Sequence, residues 1–167
     1  MSEVTSLNYA RPANWDEPTR IPELPATLER IMVPIDGSEQ AEKSLAHAAR
    51  LAGWSGAELI VLVAFDTPSR LHRRGMLPPQ ELVFGMESDA KELAGEATEL
   101  LMARGLKVRG IAVRGDAAEA IVAVSEDEKV DLIVMGRRGV SKLRGVLLGS
   151  VSERVTRHSE IPVMVVS

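Results

Sequence analysis

The sequence predicts a single doubly wound α/β domain, in which helices cover both faces of a parallel β-sheet. From Arg30 onward, short apolar segments alternate with amphipathic helical patterns. The apolar segments are continuously hydrophobic, which is typical of parallel strands buried on both faces. The resulting order is β-α-β-α-β-α-β-α-β, and right-handed crossovers then place helices on both sides of the sheet.

Composition supports a globular protein and excludes several functional classes. The 167 residues are 45% hydrophobic and 26% charged, and none is a cysteine, which excludes disulfides, thiol catalysis and thiolate metal sites. A net charge of -4 and an aromatic content of 3% argue against nucleic-acid and anionic-membrane partners. There is neither a membrane-length apolar run nor a leader pattern, so we expect a cytoplasmic protein.

Residues 1–29 are expected to form an N-terminal extension, and residues 30–167 the folded domain. Four of the nine prolines lie in the extension, which shows no strand or helix periodicity. Such a segment buries too little apolar surface to offset the entropy lost on ordering. We therefore expect it to be flexible, or loosely docked through Tyr9 and Trp15.

The domain alternates predicted strands and helices. The five strands are predicted at residues 30–35, 58–65, 107–113, 131–136 and 162–166. The first helix has an apolar stripe over residues 41–52 and is expected to stop at Gly53. A second stripe precedes Gly105 and comprises Met86, Ala90, Leu93, Ala97, Leu100 and Leu101. A polar residue followed by glutamate three positions later predicts N-caps at Asp116 and Ser150.

Residues that follow strands are the candidates for function, because ligands of such sheets bind beyond the carboxyl ends of the strands. Asp36 follows the first strand in the sequence Pro-Ile-Asp-Gly-Ser. Its carboxylate could accept hydrogen bonds from both hydroxyls of a ribose. The alternative interpretation is that Asp36 or Ser38 only caps the first helix.

A glycine-rich segment follows the fourth strand. Four of the thirteen glycines lie within residues 136–149, together with four cationic residues and no acidic one. Glycines allow backbone N–H groups to face a phosphate, and Ser150 is predicted to open a helix whose N-terminus favours an anion. The alternative is a flexible turn with solvated charges, followed by an ordinary Ser150–Glu153 capping box.

The sequence lacks several motifs of catalysis and phosphate binding. It contains no GxxxxGK[ST], HExxH or GxSxG pattern, and no GxGxxG after the first strand. Its three histidines are scattered, and neither a general base nor a nucleophile is evident. The basic segment after the second strand, residues 67–79, either closes over a phosphate or forms a solvated loop.

The glycine-rich segment resembles the nucleotide-binding members of the universal stress protein family. Their pattern is G-x-x-G, nine residues, then G followed by S or T, and here it reads Gly136-Arg137-Arg138-Gly139 with Gly149-Ser150. The opening RIMVPIDGSEQAEKSLAHAARLA is also similar to the family's first strand and helix. The resemblance spans about residues 30–167. It implies a Rossmann-like, adenine nucleotide α-hydrolase-like fold with the strand order 3-2-1-4-5.

The resemblance further implies an adenine nucleotide site between the first and fourth strands. Asp36 would hold the ribose, the adenine would lie beside Ile35 and Ala64, and Met135 would lie against the nucleoside. Arg138 stands where many relatives have histidine; arginine retains a donor and adds a permanent charge, so phosphate affinity is expected to persist. The complete predicted set is Pro34, Ile35, Asp36, Ala64, Met135, Gly136, Arg138, Gly139, Gly149, Ser150, Val151 and Ser152.

The implied function is that of an ATP-binding stress or regulatory protein. The expected ligand is ATP, or ADP or AMP, with Mg²⁺ or Mn²⁺ held by phosphate oxygens and water. A homodimer is expected through residues 162–166, which would otherwise leave an apolar sheet edge unpaired. Two alternatives stay open: a slow ATPase or autophosphorylating phosphotransferase, and a dimeric interaction module with a vestigial pocket. No catalytic residue is assigned.

Overall fold

The computed structural model describes residues 27–66, 77–139 and 148–167. Five strands and four helices alternate along these residues, as the sequence predicts. They are β1 (Arg30–Pro34), α1 (Glu39–Ser55), β2 (Glu58–Phe65), α2 (Gln80–Met102), β3 (Val108–Arg114), α3 (Ala117–Asp127), β4 (Leu132–Gly136), α4 (Ser150–His158) and β5 (Val163–Val166).

The strands form one parallel sheet in the order β3-β2-β1-β4-β5. This confirms the predicted fold class and the strand order that the resemblance implied. β1 pairs with β2 on one side and with β4 on the other, with Ile31 opposite Leu132. The strand order therefore reverses between β1 and β4, and their carboxyl ends frame the crevice where ligands of such sheets bind.

Alternate side chains of the strands pack into two apolar layers. Helices α1 and α2 cover the face that carries Val33 and Val61. Helices α3 and α4 cover the opposite face, which carries Met32 and Ile133. The four strand residues are fully buried, which explains why the strand sequences are continuously apolar rather than alternating.

The structure corrects two details of the first two helices. The predicted stop at Gly53 is wrong, since α1 continues to Ser55. The residue that adopts the left-handed conformation is Gly56, with φ 77°, and its N–H donates to the carbonyl of Ala52 at 2.8 Å. In α2, Leu100 is 52% exposed and therefore does not belong to the buried stripe predicted for that helix.

The predicted N-caps are confirmed at one helix and wrong at the other. The Asp116 carboxylate accepts the N–H groups of Ala118 at 3.0 Å and Glu119 at 3.1 Å, which caps α3. At α4 the N-cap residue is Gly149, and Ser150 is the first helical residue. The expected Ser150–Glu153 capping box is therefore absent from this described helix, although Ser150 does open it.

Some sequence expectations lie outside the described residues. These concern Tyr9 and Trp15 of the N-terminal extension, residues 67–76 of the basic segment after the second strand, and residues 140–147 within the glycine-rich segment. Among the residues that the structure describes, no helix is both long and apolar enough to span a membrane.

Candidate functional site

A cavity of about 360 Å³ opens at the carboxyl ends of β1 and β4. Its volume falls within the roughly 300–1,000 Å³ of small-molecule sites. The structure brings all twelve predicted site residues to its walls. These are Pro34, Ile35, Asp36, Ala64, Met135, Gly136, Arg138, Gly139, Gly149, Ser150, Val151 and Ser152.

Asp36 reaches across the crevice from β1 toward the glycine-rich segment. Its Oδ1 accepts the N–H of Ser38 at 3.1 Å, which fixes the carboxylate beside the start of α1. A β-carbon added to Gly139 would overlap Asp36 Oδ2 and would lie 3.4 Å from Asp36 Cγ. Only a glycine at position 139 therefore leaves the carboxylate where it is.

The capping interpretation of this segment is confirmed for Ser38 and wrong for Asp36. The Ser38 hydroxyl oxygen accepts the N–H of Ala41 at 3.2 Å, and Ser38 is the N-cap of α1. Asp36 is therefore not the cap. Its second oxygen is directed at Gly139 instead.

The two ends of the glycine-rich segment are held together at the carbonyl of Arg137. This oxygen accepts the N–H of Gly149 at 2.8 Å and the hydroxyl of Ser152 at 2.8 Å. The N–H of Arg137 donates to the carbonyl of Val166 at 2.7 Å. The start of α4 is thus fixed to the end of β4, and β4 to the end of β5.

Close backbone approach explains two further glycines of the motif. A β-carbon on Gly149 would lie 3.3 Å from Arg138 Cα. A β-carbon on Gly136 would lie 3.0 Å from Gln40 Cβ and 3.1 Å from the Arg138 carbonyl oxygen. All three distances are shorter than ordinary contacts of a β-carbon. The glycines let β4, α1 and the start of α4 converge at one point.

The cavity combines an anion-favouring end with an apolar wall. The first turn of α4, Ser150 to Ser152, lines it, and the N–H groups of a first helical turn have no acceptor within their own helix. Together with the positive end of the helix dipole and the guanidinium of Arg138, they favour a negatively charged group. Apolar side chains of Ile35 and Met135, buried in the core, line the same cavity.

Sequence reasoning missed five residues that also line the cavity. Most are small or apolar helical residues, which the periodicity assigned to the core. The sequence held one signal for a cavity residue in this set: Ala117 directly follows the Asp116 cap at the carboxyl end of β3, where site residues are expected. The five are Ala41, Ala117, Ile121, Leu148 and Glu153.

An ion pair joins the two helices that form one wall of the cavity. Arg154 of α4 contacts the Asp116 carboxylate at 2.8 Å and that of Glu119 at 3.2 Å. The hydrogen bond from Arg154 holds the pKa of Asp116 below its ordinary value, assisted by the backbone N–H groups it caps and opposed by partial burial. Asp116 thus caps α3 and ties it to α4.

Metal-binding side chains do not cluster in the described parts of the chain. Across residues 27–66, 77–139 and 148–167, no three histidine or acidic side chains lie close enough together to hold a metal ion.

The fold and the crevice define a doubly wound protein with a cavity of small-molecule size at the switch point of its sheet. The universal stress protein family model matches residues 27–167, and the chain belongs to the universal stress protein family. Universal stress protein MJ0577 of Methanocaldococcus jannaschii is 33% identical over 153 residues, which cover 83% of this chain and 94% of that protein. In the structural comparison MJ0577 has a TM-score of 0.73 at 34% identity, covering 84% and 96% of the two chains.

Two further solved structures contain adenine nucleotides. A universal stress protein in complex with cAMP is 27% identical, with a TM-score of 0.60 and coverage of 84% of this chain and 98% of that chain. A universal stress protein from Archaeoglobus fulgidus in complex with dAMP has a TM-score of 0.62, with coverage of 83% and 98%. Its identity is 20%, so this likeness concerns the fold alone.

Proposed function

We propose that this protein binds an adenine nucleotide, ATP in the first instance, in the crevice between β1 and β4, and acts as a nucleotide-responsive regulatory protein. The observation that carries the proposal is the position of Asp36 Oδ2 against Gly139. It sets a carboxylate suited to a ribose beside a loop and helix start suited to phosphate, within one cavity. The complex of a 27% identical universal stress protein with cAMP supports the choice of ligand class.

The proposed orientation follows the chemistry of the walls. The ribose hydroxyls donate to the Asp36 carboxylate, and the phosphates accept from backbone N–H groups at Gly139 and the first turn of α4. The adenine lies on the apolar side near Ile35 and Ala64. Mg²⁺ or Mn²⁺ enters with the triphosphate, held by its oxygens and water.

Nucleotide binding acts on conformation only through a difference in affinity between two states of the protein. The glycine-rich segment contacts β1 through Asp36 and β5 through the bond from Arg137 to Val166. Through these contacts, a phosphate bound at Gly139 can affect the position of the edge strand as well as that of the crevice. This connection is the proposed route from nucleotide occupancy to a partner surface.

The edge strand β5 is the proposed homodimer surface. Met164 is 39% exposed and lies on the last strand of the described sheet order. An apolar edge is protected when it pairs with a second copy, and a lysine on an edge strand opposes such pairing. Met164→Lys is expected to halve the mass seen by sedimentation, and an unchanged mass would contradict the proposed surface.

Titration calorimetry with magnesium ATP tests the nucleotide proposal. We expect one saturable site per chain, and at least about tenfold weaker binding for Asp36→Asn, because the neutral amide loses charge-assisted hydrogen bonds to the ribose. Asp127→Asn is the matched control, since Asp127 is an exposed residue at the far end of α3. Absence of saturable binding, or equal affinity of Asp36→Asn, would overturn the proposal.

A further inference from the structure

The outer face of α1 carries an exposed row formed by a lysine, a histidine, an arginine and a tryptophan. We call Lys43, His47, Arg50 and Trp54 the α1 stripe; their spacings of four, three and four residues place them on one face of the helix. All four are exposed, and Trp54 is 77% exposed. Lys43 already contacts Glu39 at 3.1 Å. Tryptophan and arginine are the residue types most enriched in binding hot spots.

The outer face of the neighbouring helix α2 has the opposite charge. Its exposed residues include the acids Asp89, Glu92, Glu96 and Glu99, which we call the α2 acids. Two exposed apolar side chains follow at its C-terminal end, Leu100 at 52% and Met102 at 53%. Methionine is among the residue types that are enriched at protein interfaces.

The two faces lie side by side and at matching heights. Helices α1 and α2 cover the same face of the sheet and run in the same direction, since each returns the chain to the start of a parallel strand. The α1 end lies beside the segment after α2, because a β-carbon on Gly53 would sit 3.9 Å from Leu106 Cδ2. Counted back from the helix ends, Arg50 lies level with Glu96 and Glu99.

We propose that a second copy of this chain docks here, with the α1 stripe of each copy on the α2 acids of the other. A twofold axis parallel to the two helices brings each α1 over the partner's α2 and closes the assembly. Trp54 then meets the apolar end of α2 while Arg50 meets carboxylates. Opposite charges at Arg50 and at Glu96 and Glu99 favour this pairing over α1 on α1, which would place the two Arg50 side chains at the same level.

The test uses charge reversal in the full chain. One variant carries Lys43→Glu and Arg50→Glu, and the other carries Glu96→Lys and Glu99→Lys. Sedimentation velocity measures the mass of each variant, of their equimolar mixture and of the wild type. Glu126→Lys is the control, because Glu126 is exposed on α3, on the opposite face of the sheet.

We expect each reversal variant to have half the mass of the wild type, and the mixture to recover the wild-type mass. Recovery follows because the reversed α1 of one variant again meets an opposite charge on the reversed α2 of the other. The factor of two holds for a dimer formed through α1 and α2 alone, and also for a closed tetramer in which β5 pairs as well. Wild-type mass in either reversal variant would overturn the proposal. So would a mixture that fails to recover, because α1 and α2 would then not contact each other.

Discussion

The Asp36 carboxylate occupies the space that a β-carbon on Gly139 would need. This relationship joins the two segments of the sequence that carried the functional hypothesis, the end of β1 and the glycine-rich segment. They are about a hundred residues apart in the chain, and the pairing of β1 with β4 brings them together. The crevice is thus a consequence of the strand order.

Gly139→Ala is predicted to weaken ATP binding at least about tenfold. The new methyl group displaces the Asp36 carboxylate from the ribose and obstructs the phosphate approach. Calorimetric titration measures the effect. Gly85→Ala, where the added methyl meets nothing within 4 Å, is the control and should bind as the wild type does. Equal affinity of the two variants would show that Gly139 does not border the nucleotide.

Ser152→Ala is predicted to weaken nucleotide binding and to lower the free energy of unfolding by about 1 kcal/mol. The variant loses the hydroxyl bond to the Arg137 carbonyl at 2.8 Å, which helps to hold the start of α4. Ser125→Ala is the control, because that hydroxyl is equally buried and bonds only within α3, to Val122 at 2.8 Å. The control should lose stability and retain affinity, and loss of affinity in both variants would contradict the role of Ser152.

Asp116→Asn is predicted to destabilise the protein near neutral pH and progressively less in acid. The folded-state pKa of Asp116 is lowered by Arg154, so the stabilisation is present above the unfolded pKa of about 3.9 and is lost as pH falls through the folded pKa. Denaturant unfolding of variant and wild type at several pH values measures the difference in unfolding free energy, which should shrink as the pH falls through the folded-state pKa. A difference that is constant with pH would contradict the ion pair.

Gly110→Ala is predicted to cost about 1–3 kcal/mol of unfolding free energy. Its methyl group would lie 2.9 Å from Thr98 Oγ1 and 3.2 Å from the Ala94 carbonyl, where α2 packs on β3. Gly95→Ala in α2 meets nothing within 4 Å and should stabilise by up to about 1 kcal/mol, since alanine favours helix. Urea unfolding measures the unfolding free energy of both variants. Similar values would contradict the close packing of α2 on β3 at Gly110.

The apolar pattern predicted the elements well, because strands buried on both faces admit little besides continuous hydrophobic residues. It could not predict strand order, which depends on packing between distant segments; the order came from the family resemblance. Local sequence signals also failed where two glycines could each end the same helix. Gly53 and Gly56 both follow the apolar residues 41–52 of α1, and the helix ends at its C-cap, Gly56, which adopts the left-handed conformation.

The site residues were predictable where they follow strands and belong to a spaced motif. Ile121 and Ala117 were missed because a residue that lines a cavity and one that fills the core have the same apolar character in sequence. Ser150 was expected to cap α4, but Gly149 takes that position. The buried hydroxyl at this helix start belongs to Ser152 and bonds to Arg137, a contact that sequence spacing does not reveal.

The measurement that tests the nucleotide site most directly is the change of backbone amide shifts as magnesium ATP is added to the ¹⁵N-labelled full chain. We expect saturable changes that are largest at Gly139, Gly149 and Ser150, where the phosphates accept hydrogen bonds from N–H groups. Saturation with these three amides unmoved, or no saturable change anywhere, would contradict it.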